Sequence, residues 1–96
     1  MFALITRYTR PLEEVEAHLE GHVAWIDRHY DAGRILATAR QVPRAGGMIL
    51  VTAANRDEAE AMVRDDPFVT EAVAEYEILE LEVRRVAPGL ERLLDA

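Results

Sequence analysis

Residues 12–33 read LEEVEAHLEGHVAWIDRHYDAG, and this stretch decides the fold. Leu12, Val15, Leu19, Val23, Ile26 and Tyr30 recur at three- and four-residue steps, which predicts one helix from Leu12 to Ala32 with a single apolar face. Glu13, Glu14, Glu16 and Glu20 load its first half with negative charge, and Arg28 brings positive charge to the second, as the helix dipole favours. Pro11 suits a first turn behind a cap at Thr9 or Arg10, and Gly33 is a natural stop.

Working outward, Phe2 to Tyr8 reads as strand 1. After the helix, Arg34 to Val42 and Met48 to Ala53 form a predicted hairpin around Pro43-Arg44-Ala45-Gly46-Gly47. Asn55-Arg56-Asp57-Glu58 is a capping box that opens a second helix, whose buried face is Ala59, Met62 and Val63. Pro67 breaks that helix and holds Asp66 extended. Phe68 to Val73 is a turn or short helix, and Ala74 to Arg85 is strand 4. The order β-α-β-β-α-β gives an α+β, ferredoxin-like fold: an antiparallel four-stranded sheet with both helices on one face. Residues 1–87 form the domain, and 88–96 are a short tail after Pro88-Gly89. Strand 4 is apolar at both parities, with Tyr76 and Ile78 on one side and Leu79, Leu81 and Val83 on the other. A strand apolar on both sides wants cover on both sides. A homodimer with its sheets face to face is therefore expected, with association beyond the dimer left open.

Ninety-six residues make one domain with a modest core. The formal net charge of -7, from 18 acidic and 11 basic side chains, argues against nucleic-acid or anionic-membrane partners. The chain contains no cysteine, which excludes thiolate nucleophiles, disulfides and Cys-ligated metal. It contains no serine, which excludes a serine triad. The N-terminal residues lack a signal-peptide pattern, and no apolar run approaches the roughly 18 residues of a membrane span. A cytoplasmic location is expected.

Two residues stand out as chemistry. His22 falls inside the stripe of Val15, Leu19 and Ile26, near its edge, while His18, Trp25 and His29 lie further out on the same shoulder. Asp66 sits in the turn after the second helix, which runs beside the first. The plain reading of His22 is a core-edge histidine satisfied by a backbone carbonyl. The plain reading of Asp66 is Asp-Pro turn chemistry, its carboxylate accepting nearby N–H groups. If the two meet, they form an acid/base unit, with His22 exchanging the proton and Asp66 fixing its tautomer. Thr38 and Arg40 are candidates to bind a substrate oxygen. Arg40 and Arg44 flank the hairpin loop, where a solvated edge is the plainer reading. His18 and His22 have metal-chelating spacing, but the zincin Glu is absent and no metal is assigned. Trp25 is expected at a helix edge or an interface.

Several pieces, in order, resemble the YciI-like (YCII-related) family: His22-Val23-Ala24-Trp25-Ile26, Ala32-Gly33-Arg34-Ile35-Leu36, Val42-Pro43-Arg44-Ala45-Gly46-Gly47, Asp66-Pro67-Phe68 and Ala74-Glu75-Tyr76-Glu77-Ile78. The resemblance runs from about residue 2 to residue 84. It implies a dimeric α+β barrel and a cleft whose His and Asp map onto His22 and Asp66. It also implies kinship with a dehydrochlorinase of chloroaromatic degradation and, through the wider fold, with muconolactone isomerase. Two departures stand out: Thr38-Ala39 replaces a Ser-Gly-like pair, and Glu71-Ala72-Val73 lacks a glycine common after the Asp-Pro-Phe turn. The expected function is a small cofactor-free enzyme that isomerises, or eliminates from, a small organic compound. The alternative is a non-catalytic module that binds a small ligand or a partner.

Overall fold

A computed structural model describes residues 1–95. Strand β1 (Phe2–Tyr8) leads into helix α1 (Leu12–Glu16) and helix α2 (Leu19–Asp31). Strands β2 (Ile35–Arg40) and β3 (Gly46–Val51) follow, then helix α3 (Arg56–Arg64), the single-turn helix α4 (Pro67–Thr70) and strand β4 (Ala74–Glu80). A 3₁₀ turn at Glu91–Asp95 closes the chain. The sheet order is β2-β3-β1-β4 with every pairing antiparallel, the ferredoxin-like α+β arrangement.

One face of the sheet carries the core. Phe2 and Leu4 of β1, Ile35 of β2, Ile49 and Val51 of β3, and partly buried Ile78 of β4 meet Trp25 from α2 and Ala59, Met62 and Val63 from α3. A second cluster, Val15, Phe68, Val73 and Ala74, seals the end of the sheet where α4 lies. Each fully buried large apolar side chain contributes about 1.5–3 kcal/mol. On the other face Ile5, Met48 and Leu50 are half-buried and Leu79 is exposed.

The single helix expected over Leu12–Ala32 is two helices. His18 leaves the helical region at φ -111°, ψ 10°, and α2 starts afresh at Leu19. The break rotates the second helix relative to the first. Val15 of α1 enters the smaller cluster, while α2 buries Trp25 completely and leaves Val23 and Tyr30 exposed. Trp25 is thus a core residue, not a helix-edge one, and its indole N–H donates to the Met62 carbonyl at 3.1 Å. Pro11 occupies the cap position itself, so neither Thr9 nor Arg10 caps α1. Asn55 caps α3 as expected, accepting from Glu58 N–H at 2.9 Å.

Gly46 and Gly47 belong to β3 rather than to the hairpin turn. Neighbouring backbone leaves no room for side chains there: a Cβ at Gly46 would overlap the Thr6 carbonyl, and one at Gly47 would lie 2.7 Å from the Ala39 carbonyl oxygen. Strand β4 stops at Glu80, short of Arg85: its pairing with β1 ends at Phe2 and Glu80, and the Leu81 N–H donates to the Met1 carbonyl at 2.8 Å. Among the described residues no helix is long and apolar enough to cross a membrane.

Candidate functional site

The site begins with Gly21, in the first turn of α2. At Gly21 of α2 a Cβ would lie 3.2 Å from Cγ of Pro67. Its absence lets α4 settle against α2 one residue from His22. Asp66 caps α4 in extended conformation, and its Oδ1 accepts the Phe68 N–H at 3.0 Å. This is the expected Asp-Pro turn chemistry. The same oxygen also lies 2.8 Å from Nδ1 of His22, so the partner of His22 is a carboxylate rather than a backbone carbonyl. Oδ2 accepts the Tyr76 hydroxyl at 2.6 Å.

Asp66 is fully buried, and each of these contacts uses it as an acceptor. A carboxylate only accepts, so the contact is Nδ1–H of His22 donating to Oδ1, and in the neutral ring Nε2 then carries the lone pair. The imidazole lies flat on Phe68, with ring centroids 3.9 Å apart and planes 3° from parallel. Trp25 also stacks on the imidazole, with centroids 5.7 Å apart and planes 30° from parallel. The ring is held in plane and direction by packing and in tautomer by Asp66. Burial first, and the charge of Asp66 second, push the Tyr76 hydroxyl far above the ordinary phenol value, so it remains a donor.

The sheet supplies the rest. Arg40, Gly47, Thr6 and Tyr76 are paired across β2, β3, β1 and β4 in one row on the helix-bearing face. Thr38 and Ile49 pair in the next row. Gly47 carries no side chain, so the row dips in its middle. A cleft of about 380 Å³ opens there between α2 and the sheet. His22 and Phe68 form one end, Leu19, Val23 and Ile26 the helical wall, and Thr38 and Arg40 the β2 side. The four candidate site residues are therefore arranged in two tiers: His22, Thr38 and Arg40 line the cleft, and Asp66 lies behind His22. Thr38 is also within 3.2 Å of the Tyr30 hydroxyl. Arg40 has no ion pair among the described residues. Arg44 points elsewhere, pairing with Glu16 at 2.8 Å. Among the described residues no group of three or more His, Cys, Asp or Glu side chains is placed to hold a metal ion.

The YCII-related domain model matches residues 1–82. The chain belongs to the YCII-related family. No curated protein matches the sequence. Among solved structures, this YCII-related chain is similar to 5-chloro-2-hydroxyhydroquinone dehydrochlorinase from Burkholderia phenoliruptrix, in complex with 2,5-dihydroxybenzoquinone. The two share 19% identity with a TM-score of 0.70, over 84% of this chain and 93% of that one. At that identity the likeness shows a shared fold.

Ala72, in the stretch that lacks the glycine, holds a left-handed backbone at φ 56°. Glycine adopts that conformation more readily than alanine. Two residues of the site escaped the sequence reading. Gly21 carried a signal, since an interior helix glycine marks a close approach. Tyr76 carried only its place beside Ile78 on one face of strand 4.

Proposed function

We propose that the cleft is an acid/base site, with His22 as the proton-transferring group and Asp66 as its orienting carboxylate. The observation that carries this reading is the His22 ring itself. Nδ1 is committed to a buried carboxylate, and Nε2 is left for the cleft that the ring lines. An imidazole in that setting can take a proton from a bound carbon acid or hydroxyl and return it elsewhere on the same molecule. The apolar helical wall, with Thr38 and Arg40 opposite, suits a small organic compound that is flat and aromatic-derived and carries a polar oxygen. The reaction class is isomerisation or elimination, without a cofactor. The structural neighbour's dehydrochlorination of a chlorinated hydroxyquinol supports elimination within that class.

The test is ligand binding and turnover in parallel. Chlorinated hydroxyquinols are offered as substrates and hydroxyquinones as ligands, with chloride release and fluorescence titration as readouts. His22→Ala should lower turnover by roughly 10²–10⁴-fold while binding falls far less. Full turnover in His22→Ala would sink the acid/base reading. Binding without turnover in the parent protein would favour the binding-module reading instead. The same proposal takes the protein as a homodimer that covers the apolar sheet face around Ile5, Met48, Leu50 and Leu79. Sedimentation equilibrium checks it, and a monomer at micromolar concentration would count against it.

A further inference from the structure

Tyr76 is a partly buried residue whose hydroxyl the acid/base reading leaves without a task. It stands on β4 beside Thr6 of β1, at the end of the row that floors the cleft. Its ring packs 6.4 Å from Trp25, and its hydroxyl donates to Asp66 Oδ2 at 2.6 Å. Oδ1, by contrast, serves both the Phe68 N–H and His22 Nδ1. The two oxygens of Asp66 are therefore not equivalent. Without the phenol, Oδ2 would be a fully buried oxygen with no donor, and the carboxylate would be free to turn about its Cβ–Cγ bond and share its oxygens differently.

We infer that Tyr76 is a positioning residue of this site: its hydroxyl clamps Asp66 Oδ2, turns Oδ1 toward His22, and so locks the imidazole in the tautomer that leaves Nε2 open to the cleft. The functional meaning of the clamp rests on the acid/base reading, but the clamp itself does not. Three features fit it. The Tyr76 to Asp66 bond is the shortest of the three that Asp66 accepts. The ring that carries the hydroxyl is wedged in the core against Trp25, so the donor is fixed in place. And α4, which carries Asp66 at its cap, holds only Oδ1, through the Phe68 N–H, and leaves Oδ2 to Tyr76.

The experiment is NMR of the ring nitrogens of His22 in protein labelled at histidine, assigned by the loss of its signals in His22→Gln. In the parent protein Nδ1 should carry the proton in the neutral ring, and that proton should exchange slowly with water. Tyr76→Phe removes one oxygen and keeps the ring. It should speed exchange of the Nδ1 proton roughly tenfold to hundredfold, the equivalent of one hydrogen bond to a charged group. It should also introduce the Nε2–H tautomer, while near-UV dichroism and Trp25 emission stay native. An unchanged tautomer pattern and exchange rate in folded Tyr76→Phe would overturn the inference. If the variant does not fold, the parent protein decides. The Tyr76 hydroxyl proton, traced through labelled tyrosine Cζ, should exchange slowly, and exchange as fast as that of exposed Tyr30 would overturn the clamp. Failure of His22→Ala to affect turnover would remove the acid/base reading yet leave the dependence of the His22 tautomer on Tyr76 intact, so the two ideas fail separately.

Discussion

Asp66→Ala should cost about 3–6 kcal/mol of folding stability, and Asp66→Asn only about 1–2 kcal/mol. The carboxylate is fully buried and accepts from His22 Nδ1, the Phe68 N–H and the Tyr76 hydroxyl. Alanine strands all of these donors at once. A buried donor left without a partner costs about 1–3 kcal/mol, and loss of a helix cap costs about 1 kcal/mol. The His22 side chain retains 15% exposure, so water can restore part of its share. Asparagine has the same shape and ranks with aspartate as a cap. Its oxygen can still accept from Phe68 and His22, and the Tyr76 hydroxyl can rotate to accept from the new amide. The measurement is urea unfolding followed by the fluorescence of Trp25, the one tryptophan of the chain. It should be run at several protein concentrations, because association would shift the midpoint by mass action. Equal losses for the two variants, or a loss below about 1 kcal/mol for alanine, would refute the reasoning. Either result would mean that the donors find water as readily as they find the carboxylate.

Three further outcomes follow from the same geometry. Gly21→Val drives a branched side chain into Pro67, whose Cγ is already 3.2 Å from an added Cβ, and thermal unfolding should report a loss of about 1–3 kcal/mol; a melting temperature equal to the parent's would show that α4 moves aside freely. Ala72→Gly relieves a left-handed backbone at φ 56° worth roughly 1–2 kcal/mol and gives back about 0.5–1 kcal/mol in chain entropy, so the urea midpoint should rise slightly rather than fall. Tyr76, raised by burial and by Asp66, keeps in the folded state a proton that the unfolded chain releases near pH 10.0; its contribution is full below that pH and declines as pH rises above it. Tyr76→Phe should flatten that decline in urea midpoints taken across pH 10.0, and an unchanged slope would assign it to other groups.

The fold was legible in the chain because its signals are local. Apolar spacing in residues 12–33, the Asn55 cap and the Asp66-Pro67 break each act within a few residues, and together they specify the element order and hence the sheet. The pair of His22 and Asp66 was legible as a possibility, since the helix pattern put one inside the apolar stripe and the turn put the other within reach. What the sequence could not settle was which way α2 faces. Helical periodicity counts Val23 and Tyr30 as core and Trp25 as shoulder, yet the break at His18 turns α2 so that Trp25 is buried while Val23 and Tyr30 are exposed. Rotation about a helix axis is set by the surface against which the helix packs, and that surface is assembled from residues far away in sequence. The same holds for Gly46-Gly47, which read as a turn by composition but pairs within β3, where the nearby Thr6 and Ala39 carbonyls leave room only for glycine. It holds for Tyr76 as well. Alternation along strand 4 put it on one face with Ile78, but only the docking of α4 through Gly21 put the Asp66 carboxylate at its hydroxyl. The sequence by itself determined the order of strands and helices and singled out His22 and Asp66 as candidates. The tertiary structure decided their orientation and partners, because a hydrogen bond across 10 or 44 residues depends on where whole elements come to rest.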